Sequence, residues 1–122
     1  MGKEFGKYLK QKRTEKGISL TGFAKRIGCS LTFYRDMELG NRNPIIDLKR
    51  LNLIASFLKL NKDEEGKLFN LAGKERNVAP PDIVEYINDR EYVSKIIRLA
   101  RDLGADENDW KRFEKSIKKY HK

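Results

Sequence analysis

The chain has one cysteine, Cys29, and one histidine, His121, which stands one residue from the C-terminus. They make no nucleophile and base pair of the usual kind and no His or Cys metal set, so the sequence predicts neither an enzyme nor a cofactor. A single cysteine excludes an internal disulfide and fits a reducing compartment. In the turn before Ser30, Cys29 reads as a small buried apolar residue rather than a redox thiol. The chemistry this composition does offer is cationic: 27 Lys and Arg against 18 Asp and Glu, a net charge of +9. The excess is uneven, with residues 1–44 carrying +6, residues 45–78 +2 and residues 79–122 +1. That distribution suits a first segment that faces polyanionic phosphate.

The cations surround a stretch with two helical patterns. Leu20, Phe23, Ala24 and Ile27 fall at i, i+3, i+4 and i+7, one face of a helix. Gly28 stops it, and Ser30 offers an N-cap to a second helix over about residues 30–39, which Gly40 closes. Tyr34 and Met37 would face inward there and Leu31, Thr32, Arg35 and Asp36 outward. Helix, short turn, helix is the arrangement that places a second helix in a DNA major groove.

Other elements must hold that pair. A first helix over about residues 3–16 buries Phe5, Tyr8 and Leu9, and carries Lys3, Lys7, Lys10 and Lys12 on its other face. Arg13 falls beside the inward stripe and needs a carboxylate, for which Glu38 at the end of the third helix is a candidate. Gly22, inside the second helix, calls for close approach to a neighbouring helix or to a phosphate. Asn41, Arg42, Asn43 and Pro44 form a loop. A fourth helix over about 46–59 turns Leu48, Leu51, Ile54, Ala55 and Leu58 inward. A fifth opens on Asn61 and Glu64 with capping-box spacing, packs Leu68, Leu71 and Ala72, and ends at Gly73.

Pro80 and Pro81 mark the best boundary in the chain. Three helices follow, over about 81–89, 91–103 and 106–120, with Gly104 between the last two and Asp106 as an N-cap. All are amphipathic, so their stripes pack on the first five helices or meet a second subunit. For Trp110 and Phe113 a core position is the expectation. No strand signal appears, and no apolar run approaches the roughly 20 residues of a membrane span. The expected fold is all-α: a five-helix DNA-binding domain over residues 1–76, then a three-helix segment over residues 77–122 for core completion, dimerisation or partner binding.

The run GISLTGFAKRIGCS from Gly17 to Ser30, then Tyr34, Met37, Glu38, Gly40 and NRNP from Asn41, resembles the lambda-repressor-like, Cro-type helix-turn-helix regulators, or XRE family, over residues 5–60. The later runs LFNLAGKERN, PPDIVEYI and ARDLGADENDWKRF are similar to the second half of XRE-type regulators of Gram-positive bacteria and their mobile elements. The expected function is a transcriptional repressor, homodimeric on double-stranded DNA; the lack of a spanning apolar run and of an apolar segment in MGKEFGKY gives the expectation of a cytoplasmic protein with no membrane role. The resemblance places base reading on Leu31, Thr32 and Asp36, with Arg35 and Phe33 beside them, and an ion pair between Arg13 and Glu38; Arg35 is itself expected to read a guanine through a bidentate contact. Backbone contacts would come from Lys10, Lys25, Arg26, Asn41, Arg42 and Asn43. Leu20 stands where many members have a phosphate-clamping Gln, and Leu31 where a polar reader is common. Leu31 can still meet a thymine methyl, and Asp36 can accept from cytosine N4 or orient Arg35. The alternative is a protein-interaction module of antitoxin or inhibitor type, using Phe33 and Asp36 or the Trp110 helix.

Overall fold

Side-chain caps and left-handed turns divide this chain into its elements. The computed structural model describes residues 3–45 and 47–121. Among these it is all-helical, with eight helices and no strand: α1 Lys3–Glu15, α2 Leu20–Arg26, α3 Leu31–Leu39, α4 Leu48–Phe57, α5 Lys62–Glu75, α6 Pro81–Asn88, α7 Glu91–Leu103 and α8 Glu107–Tyr120. Ser19 Oγ accepts from the Gly22 amide and Ser30 Oγ from the Phe33 amide, opening α2 and α3. Between them the chain reverses at Gly28, whose φ of +76° a side chain would resist. Asn61 and Glu64 form a reciprocal capping box on α5, as do Asp106 and Asp109 on α8. Gly22 is exposed, and what a Cβ there would meet is Ser19 Oγ at 3.0 Å, so its own cap is the close neighbour.

The chain divides into two compact units, Met1–Glu85 and Tyr86–Lys122, the boundary falling within α6. The core lies in the first. Phe5 and Leu9 of α1, Phe23 and Ile27 of α2, Tyr34 and Met37 of α3, Leu51 and Ile54 of α4, and Leu68 and Ala72 of α5 are all buried in one cluster. The tightest approach is between α1 and α3. A Cβ on Gly6 would press on the carbonyl oxygens of Met37 and Glu38, at 2.5 Å from the latter.

Several expectations need correction. Helix α5 runs past Gly73 to Glu75. Gly73 is needed for space, because a Cβ there would lie 2.9 Å from the backbone of Val78 and Ala79 as the chain folds back. The extra turn has a use: Glu75 Oε1 accepts from the amides of Glu4 and Phe5 at 2.8 and 3.0 Å, capping α1 from the far end of the unit. Helix α4 starts at Leu48; Ile46, expected as its first residue, lies outside the described residues. Leu48 is exposed, and Pro44 and Ile45, just before α4, are buried instead. Lys12 leaves the solvent face of α1, with its ammonium 2.6 Å from Glu64 on α5. In the second unit no residue of α7 or α8 is buried, and Trp110 and Phe113, expected in a core, are 45% and 56% exposed.

Candidate nucleic-acid interface

Helix α3 is held from behind and open in front. Tyr34, Met37 and Glu38 point inward, Thr32 and Arg35 are exposed, and Leu31, Phe33 and Asp36 are partly so. The hold is a bidentate ion pair. Arg13 Nε donates to Glu38 Oε2 at 2.7 Å and Nη2 to Oε1 at 3.0 Å, while Nη1 donates to the Ile18 carbonyl at 2.7 Å. One guanidinium thus joins α1, the α1–α2 loop and α3, a geometry that a lysine lacks. Both side chains are more than nine-tenths buried. The hydrogen-bonded carboxylate of Glu38 raises the Arg13 pKa against the cost of burial. Burial first, and then the Glu38 carboxylate, pushes the Tyr34 phenol far above its ordinary value, so it stays neutral. Its hydroxyl is buried without a hydrogen-bond partner among the described residues.

Two grooves flank α3. On the side of Arg35 and Leu39, a groove of about 450 Å³ is lined by Lys3, Lys7 and Lys10 of α1 and by Leu20 of α2. On the side of Phe33, one of about 410 Å³ gathers Arg42, Asn43, Asp47, Arg50 and Arg76. The Arg42 guanidinium lies 4.5 Å from the Phe33 ring centroid, a cation–π contact that fixes the loop cation beside the helix start. Asn41, Arg42 and Asn43 are all exposed around Gly40.

The structure therefore brings Lys10 to Arg35 and Arg42 to Phe33. Lys25 is exposed on α2, and Arg26 lies over the Phe57 ring at 5.0 Å, tied to α4 rather than to α3. Among the described residues no ion pair joins Arg35, which is exposed, to Asp36, which is partly so. Lys3 and Lys7, expected only as part of the outer face of α1, line the Arg35 groove, and Arg50 and Arg76, which no local signal marks, line the Phe33 groove. Lys3, Lys7 and Lys10 share one stripe at i, i+4 and i+7, a signal that spacing already carries. Arg76 reaches Arg42 only through the fold. Cys29 is half-buried in the turn, and burial raises its thiol pKa.

Two short helices joined across a glycine turn, the second flanked by cations, suit a helix-turn-helix arrangement. Residues 9–64 match the family model described as Helix-turn-helix. This part of the chain is similar to a helix-turn-helix domain. The matched stretch takes in α2, α3 and α4, the second half of α1 and the start of α5, and so includes the Arg13–Glu38 pair and both N-cap serines. No curated protein and no solved structure matches the chain. Among the described residues no helix is long and apolar enough to cross a membrane.

Proposed function

We propose that this chain is a sequence-specific, double-stranded-DNA-binding transcriptional regulator of the XRE type, acting as a two-fold homodimeric repressor, with α3 as its recognition helix in the major groove. One observation carries the reading. The open face of α3 stands between a groove lined by Lys3, Lys7, Lys10 and Arg35 and another lined by Arg42, Arg50 and Arg76. Phosphates following either groove meet cations while base edges meet the helix.

In this reading Arg35 makes the bidentate guanine contact, Leu31 packs on a thymine methyl, and Thr32 and Asp36 complete the readout, Asp36 accepting from cytosine N4. Lys10, Lys25, Arg42 and the Asn41 and Asn43 side chains position the backbone. Arg26 has the weaker claim, because its guanidinium is already stacked on Phe57. The likeness of the later helices to regulators of Gram-positive bacteria and their mobile elements fits this role and a cytoplasmic setting.

A second reading draws on the exposed Trp110 and Phe113 of α8. There the helix-turn-helix scaffold serves a protein-interaction module, and duplex DNA is not the partner. Selection from fragmented genomic DNA with purified protein separates the two. Enrichment of a two-fold motif bound with steep salt dependence supports the regulator; no enrichment and no salt-sensitive binding to any duplex overturns it.

A further inference from the structure

The second unit carries an apolar face that its own residues do not cover. Around α7, Tyr92, Val93, Ile96, Ile97, Ala100 and Leu103 share one side, while Lys95, Arg98, Arg101 and Asp102 share the other. On α8, Trp110, Phe113, Ile117 and Tyr120 repeat at intervals of three and four. The two stripes border a groove of about 560 Å³ in which Asp109 is the one charged side chain. No residue of either helix is buried.

We propose that the α7–α8 hairpin is the homodimer interface, with α8 packing antiparallel against α8 of a second copy across the open groove. This deepens the two-fold reading above and rests on it. Tyr92, Ile96, Ile97, Trp110, Phe113 and Ile117 are 37–71% exposed. At about 150–250 Å² for a large side chain, they offer roughly 600–700 Å² per protomer, close to the ~800 Å² that each partner gives a standard interface.

The charges beside the α8 stripe point to a second copy and set its direction. Glu107, Lys111, Glu114 and Lys118 form a single row along one flank, and Lys111 bridges Glu107 at 3.4 Å and Lys118 bridges Glu114 at 3.0 Å. Signs alternate, so the row read backwards is its own complement: Glu107 falls opposite the second copy's Lys118, and Lys111 opposite its Glu114. In a parallel two-fold pair the same row would lie on opposite sides of the seam and would not meet itself, so only the antiparallel pair uses this complementarity. Antiparallel pairing is isologous, as a two-fold dimer requires, and it centres near Phe113. An anionic membrane surface fits worse, because Glu107, Asp109 and Glu114 would edge the inserted face.

The test measures the mass of the full chain by sedimentation equilibrium at micromolar concentration. Three variants accompany it: Phe113→Asp, the pair Glu107→Lys with Glu114→Lys, and the pair Lys111→Glu with Lys118→Glu. Far-UV circular dichroism confirms that each keeps its helicity. The wild type is expected to be dimeric and each variant to dissociate at least tenfold more readily. Mixing the two charge variants should restore the dimer mass, which a merely misfolded hairpin would not do. A dimeric wild type with an equally dimeric Phe113→Asp overturns the hairpin interface and leaves the two-fold regulator intact. A monomeric wild type overturns both the interface and the homodimer, and if it also sediments with phosphatidylglycerol vesicles the face belongs to a membrane.

Discussion

Replacing Glu38 by Ala should cost the first unit a large share of its stability. The substitution leaves the Arg13 guanidinium more than nine-tenths buried with the Ile18 carbonyl as its one remaining acceptor, where it now has three bonds at 2.7, 2.7 and 3.0 Å. Breaking a buried pair from one side typically costs about 3–5 kcal/mol, against total stabilities of about 5–15 kcal/mol for a domain. At about 4–8 °C per kcal/mol for a domain of this size, the melting temperature should fall by roughly 12–40 °C. The assay must be far-UV circular dichroism during heating or urea titration, because Trp110, the single tryptophan, lies in the second unit. Removing both charges together, as Arg13→Met with Glu38→Leu, should recover most of the loss, since a well-packed apolar pair often matches a buried ionic one. A loss below about 1 kcal/mol for Glu38→Ala would refute the account of the pair as a buried clamp. So would a double variant as unstable as the single one, which would mean that the damage comes from shape and not from an orphaned charge.

Other consequences follow from particular contacts. Gly6→Ala should destabilise by about 1–3 kcal/mol, because its Cβ meets the Met37 and Glu38 carbonyls and either α1 or α3 must shift. Gly66→Ala, with open space around its Cβ, should instead stabilise by up to about 1 kcal/mol; urea midpoints check both. The Lys12 ammonium, and then the Asn61 amide, hold the Glu64 carboxyl below its ordinary pKa. A depressed folded pKa means stability that is complete above the unfolded value near pH 4.3 and lost as pH falls through the folded one. Melting temperature against pH should therefore show a shallower acid limb for Lys12→Met than for the wild type, and parallel limbs would sink the assignment.

What could be read from the sequence was what is local. Apolar spacing, serine and asparagine caps and glycine stops place all eight helices, since each depends on residues within a turn or two. The failures come from contacts at long range. Nothing near Gly73 reveals that the chain will fold back over it, so the sequence ends α5 there and misses that Glu75 caps α1 about seventy positions away. Lys12 looked like a solvent cation because Glu64 lies on another helix. The candidate site divides in the same way. The stripe of Lys3, Lys7 and Lys10 is visible in spacing, whereas the grouping of Arg42 with Arg50 and Arg76 exists only once α3, α4 and α5 are packed. Trp110 and Phe113 were expected in a core because amphipathic stripes usually find one, yet among the described residues nothing in the second unit is packed over them.

The central claim, that the face of α3 reads bases while its flanking grooves hold phosphates, is tested most directly by comparing Arg35→Ala with Arg42→Ala. Affinity for the selected operator and for random duplex is measured across a salt series. Arg35→Ala should weaken operator binding by about 1–3 kcal/mol and relax preference at one base position, with little change on random DNA. Arg42→Ala should weaken both duplexes alike and reduce the salt slope by about one. Equal losses on both duplexes from both variants, or no loss from either, would contradict the claim.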